Sequence, residues 1–336
     1  MDSAQLVSAT GITRNYGNLI AVDQIDFSLQ QGEILGFLGP NGAGKSTTMS
    51  ILTGNIAPHS GSIKICGIDL LDKPKQAKSL IGYLPENPPL YPQLNVIEYL
   101  RYCAQLHGIS KKEITDAIDR AIQRCSLKDV RNRLIGSLSK GYQQRVGIAQ
   151  AIIHSPRVLI LDEPTVGLDP NQIIEIRKLI TSLGKECGVI ISTHILPEVE
   201  EICNRIVILN NGRLVFGSPL PISNKPDVAV SLAAPPPLDD LSRIFVDINV
   251  LQKSKHQFIF SPEFDYEFKT RFAQVAVKNG WGLEELRSIQ PSLEGIFTNY
   301  VCSDINIESD SGAENTGHKS PDNHTNQNTA EGNDED

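Results

Sequence analysis

The sequence predicts an α/β protein, with a large domain built on a buried parallel sheet and a smaller α+β unit after it. Three observations predict this. Short apolar runs, such as VLIL at 158–161 and GVIIS at 188–192, alternate with helical patterns and glycine turns over residues 4–220. One strand-like run, EILGFL at 33–38, opens directly into a glycine-rich turn and then a helix. At 221–226 (PISNKP) the pattern breaks as a linker would, and a different order of elements begins.

That second unit spans 227–302. DVAVSLAA is strand-like, and PPPLDDLSRI starts a helix with proline at its front. FVDINVLQKSKHQFIF reads as a hairpin turning at 253–255. YEFKTRFAQVAVKNG is an amphipathic helix closed by glycine, WGLEELRSI an edge strand and SLEGIFTNYV a last packed helix. Strand-helix-strand-strand-helix-strand is the order of a ferredoxin-like fold. Residues 303–336 have almost no apolar content and predict a disordered acidic tail, in which His318 and His324 are solvated.

Composition excludes several classes of function. The net charge of −8 belongs to the tail, which holds nine Asp/Glu against one Lys; 30 acidic and 30 basic residues remain elsewhere. A neutral body gives no reason to expect nucleic acid as a partner. Six scattered cysteines, with no CxxC and no His/Cys cluster, read as buried free thiols rather than a metal site. The first residues lack the apolar run of a signal peptide, and no stretch approaches the roughly 20 apolar residues of a spanning helix.

The turn after residue 38 reads Gly39-Pro40-Asn41-Gly42-Ala43-Gly44-Lys45-Ser46-Thr47, a full GxxxxGK[ST]. A polyphosphate is held by a ring of backbone N–H donors, and only small residues let the backbone approach so closely. The helix that follows, from about Ser46, turns its positive end toward the phosphates. Lys45 would reach the β- and γ-phosphates, and the Ser46 hydroxyl would ligate Mg²⁺. The run 158–161 ends in Asp162-Glu163, at the strand end where open α/β sheets bind ligands. Asp162 would hold Mg²⁺ through water, and Glu163 would polarise the attacking water. A lone Asp-Glu after a strand is usually an ordinary loop; the glycine-rich turn makes that the weaker reading.

With these motifs in order, residues 4–220 resemble the ATP-binding cassette (ABC) family. Leu138-Ser139-Lys140-Gly141-Tyr142 resembles the family signature, usually LSGGQ; Leu168-Asp169 resembles the D-loop, and His194 the switch histidine. Tyr16 resembles the aromatic that stacks on adenine, with Val22 as a nearby apolar contact. Residues of about 87–150 (VIEYLRYCAQLHG, KKEITDAIDRAIQRCSL) resemble the family's helical subdomain, which receives a membrane subunit. The resemblance implies an ATPase that binds ATP and Mg²⁺ between two copies of the cassette. Ser139 and the Gly141 backbone would then meet the γ-phosphate held by the partner's P-loop, with His194 also contacting it. Three positions depart from the pattern. Glu86 stands where a magnesium-ligating Gln is usual, and Tyr142 replaces the signature Gln. Lys140 also replaces a signature glycine, which a solvent-facing helix start tolerates.

Three classes compete within the family: a transporter's motor subunit, a cytoplasmic ATPase acting on ribosomes, and a chromosome-maintenance ATPase. One cassette and no long heptad run weaken the second and third. The LPEN…LYP and LSKGYQQR segments and the extension after 220 resemble the type-2 exporter class. This implies a peripheral subunit on the cytoplasmic face of the cell membrane, homodimeric and paired with a separate permease.

Overall fold

The computed structural model describes residues 5–220, 227–245, 248–261, 265–289 and 293–302. The linker at 221–226 and the tail at 303–336, with His318 and His324, lie outside the described residues. A six-stranded sheet runs in the order Arg213–Pro219, Arg205–Asn210, Ile34–Leu38, Gly188–Thr193, Val158–Asp162, Ile81–Leu84. The last five are mutually parallel, and Arg213–Pro219 adds an antiparallel edge. A parallel sheet is covered on both faces, so its strands are apolar on both sides. Successive residues divide accordingly: Leu35, Phe37, Val158 and Ile160 enter one core, while Leu38, Leu159, Leu161 and Ile191 enter the other.

The first core is closed by a feature that the sequence reading did not separate from the parallel sheet. Gln5–Tyr16 and Leu19–Gln30 form a long hairpin in a four-stranded antiparallel sheet with Ser60–Ile65 and Ile68–Asp69. The helix Lys45–Leu52 contributes Met49, Ile51 and Leu52 to the same core. The second core is closed by the helices Val96–Leu106, Ile114–Arg124, Lys140–Ile152 and Pro170–Gly184. The first of these starts in a reciprocal capping box between Asn95 and Glu98.

The last sheet orders Asn249–Ser254, Gln257–Ser261, Asp227–Leu232, Leu283–Ile289, all neighbours antiparallel. Numbered along the unit this is 2-3-1-4, the arrangement of a ferredoxin-like sheet, with Leu238–Ile244 and Asp265–Lys278 as its helices. The hairpin turns at Lys255–His256, slightly later than the charge run implied, because Ser254 still pairs with Gln257. Phe245, Phe258, Phe260, Phe268, Phe272 and Trp281 fill its core.

Among the described residues no helix is long and apolar enough to cross a membrane. Cys103, Cys125, Cys187 and Cys203 are buried free thiols, and burial pushes the Cys125 and Cys203 thiols up to about 12. They are packing groups.

Two stacked histidines predict a pH-dependent stability. The rings of His107 and His154 stack at 3.8 Å with 7° between their planes. His154 Nε2 donates to the Ile81 carbonyl at 3.0 Å, leaving Nδ1 buried without a partner among the described residues. Burial, reinforced by His107, lowers the His154 pKa to about 4; burial also lowers that of His107. The folded value of His154 lies below the unfolded one of about 6.5, so the stability this group contributes is fully present above that pH and is lost as pH falls from there toward 4. The loss attributable to His154 is expected to reach roughly 2–3 kcal/mol near pH 4. Urea unfolding midpoints measured across this window should fall, and His154→Phe should flatten the slope.

Candidate active site

Every parallel strand ends at the same edge. Leu84 lies opposite Leu161, Asp162 opposite Ser192, and Leu38 opposite Thr193. The loops after these strands therefore converge, bringing Gly39–Gly44, Glu86, Glu163 and His194 to one end of the sheet.

The glycine-rich turn is built as its sequence requires. A Cβ on Gly39 would stand 2.5 Å from the Leu209 carbonyl oxygen, and one on Gly44 2.4 Å from that of Ala21. Gly44 also holds φ of 101°, which L side chains rarely adopt. Lys45, 6% exposed, folds back so that Nζ donates to the carbonyls of Gly39 (2.7 Å) and Pro40 (3.2 Å). Nζ stands 3.7 Å from Glu163 Oε1. Burial draws its pKa below the ordinary lysine value, and Glu163, Asp162 and Glu86 oppose that shift.

Glu163 is buried and adopts φ of 47°, uncommon for a non-glycine residue. Its carboxylate oxygens lie 3.1 and 3.0 Å from His194 Nδ1. Its backbone N–H donates to both the carbonyl and the hydroxyl of Ser192 (3.1 Å each). The same hydroxyl donates to Asp162 Oδ1. Ser192 thus joins the two acids, a role that no sequence motif marked. The loop carrying His194 is held by Thr193, which donates to the buried Glu198 (3.0 Å) and accepts from the Ile195 N–H (3.1 Å).

These groups face an open cavity of about 620 Å³, within the range that takes a cofactor-sized ligand. Of the residues expected from sequence, Tyr16, Asn41, Gly42, Gly44, Lys45, Ser46, Thr47, Glu86, Glu163 and His194 line it. Gly39, Pro40 and Ala43 belong to the same turn but do not line the cavity. Asp162 is buried beneath Glu163. Val22 does not face the cavity: it is wholly buried in the core under the hairpin, and Leu19, Ile20 and Ala21 stand at the cavity instead. Tyr16 is half exposed, with the Arg14 guanidinium 5.1 Å over its ring. Val166 and Asn211 also line the cavity and were missed.

An apolar, aromatic mouth and a polar interior closed by a tight glycine turn fit a nucleoside triphosphate. Among the described residues no group of three His, Cys, Asp or Glu is placed to hold a metal alone. The Ser46 hydroxyl with Glu86 and Asp162 suits a hard cation that keeps water and phosphate oxygens as its other ligands.

Ser139 and Gly141 do not line this cavity. Ser139 occupies the N-cap position of Lys140–Ile152 yet makes no side-chain cap. Its exposed hydroxyl is therefore not spent on the local role that would otherwise explain it. Gly141 is packed against Gln172, whose Cδ would lie 2.5 Å from an added Cβ, and Asp169 caps the helix bearing Gln172 by accepting from its N–H at 2.9 Å.

Known proteins resemble this chain in sequence and fold. Residues 22–166 match the sequence profile of the family described as ABC transporter. The bacitracin transport ATP-binding protein BcrA of Bacillus licheniformis is 42% identical over 212 residues, 62% of this chain and 68% of that protein. The Nod factor export ATP-binding protein I of Cupriavidus metallidurans is 34% identical over 213 residues, 62% of this chain and 70% of that protein. Among solved structures, the dimeric structure of MJ0796, a bacterial ABC transporter cassette, superposes with a TM-score of 0.59 at 25% identity, covering 64% of this chain and 99% of that one. Motif order, site geometry and identity over two thirds of its relatives' length place this chain in the ABC transporter family, among its ATP-binding proteins.

Proposed function

We propose that this chain hydrolyses ATP as the motor subunit of an ABC exporter, closing as a homodimer to drive a separately encoded membrane permease. The observation that carries this reading is that the expected site residues do not all meet in one cavity. One cavity gathers the P-loop, Glu163 and His194, while Ser139 stands elsewhere with its hydroxyl uncapped. A second copy can present Ser139 and the Gly141 N–H to the cavity of the first, and receive the same in return. The dimeric cassette that it resembles supports this arrangement.

In this reading residues 4–220 are the ATPase domain, with a helical subdomain at about 87–150; 227–302 form an accessory unit and 303–336 an acidic tail. Adenine stacks on Tyr16 beside Leu19 and Ile20. The backbone of Gly39–Gly44 and the Lys45 ammonium bind the phosphates, and Lys45 exchanges its two carbonyl partners for phosphate oxygens as they enter. Bound Mg²⁺, held by Ser46, Asp162 through water and Glu86, would supply charge neutralisation on the phosphates. Glu163 orients the attacking water and takes its proton, while His194 holds that carboxylate and reaches toward the γ-phosphate. Tyr91 and Tyr102 pack edge to face at 5.7 Å and both stay exposed on the helical side. They suit an apolar segment of a permease at the inner face of the membrane.

The test is affinity capture of the tagged chain from detergent-solubilised membranes of its source. A multi-span protein should co-purify, with ATP hydrolysis in the complex. Recovery with ribosomes instead would sink the transporter reading.

A further inference from the structure

Asn211 belongs to no motif, yet it lines the nucleotide cavity. It sits in the turn between Arg205–Asn210 and Arg213–Pro219, with φ of 47°. The next residue ties that turn to both sides of the site. The Gly212 N–H donates to the Ala43 carbonyl in the P-loop (3.1 Å), and the Gly212 carbonyl accepts from the Asp23 N–H in the hairpin strand behind Tyr16 (2.8 Å).

The preceding residue ties it to the far end of the chain. Asn210 is 6% exposed, and its Nδ2 donates to the Tyr300 carbonyl at 3.1 Å. The Tyr300 ring lies 5.4 Å from that of Phe216. Tyr300 belongs to the last helix, Leu293–Cys302, which follows the ferredoxin-like sheet and returns to the ATPase domain. Its Leu293 is buried there, and Ile296, Phe297 and Val301 pack on the same core as the sheet and helical side. Two consecutive residues thus separate the docked helix from the cavity.

We propose that Asn211 contacts the ribose–base half of the nucleotide and that the last helix positions it through Asn210, so that ATP affinity depends on docking of the accessory unit. The amide has a donor and an acceptor, which suits a ribose hydroxyl or a base edge. The turn is short, with Asn211 and Gly212 both at positive φ, so a shift at Asn210 is transmitted to Asn211. This inference rests on the ATP-binding reading above.

The experiment measures KM and kcat for ATP in the full-length chain, with Lys45→Ala as a non-binding control. Asn211→Gly removes the side chain in a backbone region that glycine tolerates, and should raise KM about five- to tenfold, the scale of one lost hydrogen bond. Asn210→Leu, or Phe297→Ala at the helix interface, should raise KM to a similar extent, with the loss falling on KM rather than kcat. In the Asn211→Gly background Asn210→Leu should add nothing, whereas a merely structural role would add its own effect. A wild-type chain that binds no ATP overturns the functional reading. A wild-type chain that binds ATP, beside a folded Asn210→Leu with unchanged KM or an additive double variant, overturns this inference alone.

Discussion

Glu163→Gln is expected to lower ATP turnover by about 10²–10⁴-fold while leaving ATP binding intact. Glutamine is isosteric, so it can keep a hydrogen bond to His194 Nδ1, now 3.0 Å from the carboxylate. The backbone bonds to Ser192 are unaffected. What is lost is the negative charge that accepts a proton from water. Removing a carboxylate 3.7 Å from Lys45 also lessens repulsion of the incoming triphosphate, so affinity should hold or rise. With hydrolysis stopped and ATP held, the closed dimer should accumulate. Size-exclusion chromatography with Mg-ATP would then show a dimer peak for the variant and a concentration-dependent monomer for the wild type. Rapid phosphate release by Glu163→Gln would remove Glu163 from the role of base.

The second large effect tests the shared site. Lys45→Ala removes the ammonium proposed to bind the phosphates, and Ser139→Arg fills the signature-like segment with a bulky cation; each alone should abolish hydrolysis. In a mixed dimer one site carries both defects and the other neither. Mixing the two inactive proteins should therefore restore activity, up to half of the wild-type rate in each mixed dimer if the two sites act independently. If Ser139 served its own chain's cavity, both sites of the mixed dimer would remain damaged and nothing would be recovered. The position of Ser139 outside the cavity and its uncapped hydroxyl favour recovery.

Of the residues these experiments change, Lys45 and Glu163 are ones that local chemistry exposed. A strand running into GxxxxGK[ST] is legible because backbone N–H groups can ring a phosphate only when glycines make room, here against Ala21 and Leu209. The apolar strand ending in Asp162-Glu163 is legible because a parallel strand is apolar on both faces and places its last residues at the ligand edge. Ser139, His194 and Tyr16 were reached only by resemblance, since each is commonplace in isolation.

The Val22 expectation shows the limit of local pattern. Strict alternation would put Ile20 and Val22, two positions apart, on the same face of the strand. Residue type favours Val22 as an apolar contact as much as Ile20. The pairing of Gln5–Tyr16 with Leu19–Gln30 shifts register between Asn15–Ile20 and Arg14–Val22, and this bulge turns Val22 into the core while Ile20 stays at the cavity.

The chain's own order of residues was thus enough to mark the glycine-rich turn, the apolar strand ending in Asp162-Glu163 and the change in the order of elements after residue 220, because each is written in contiguous residues. Tertiary structure alone brought Ser192 between Asp162 and Glu163, Asn211 to the cavity and Tyr300 against Asn210. Those contacts join residues about 30 to 90 positions apart or depend on which strands are neighbours in the sheet. No local propensity encodes them, because they arise only when the whole sheet closes on its two cores.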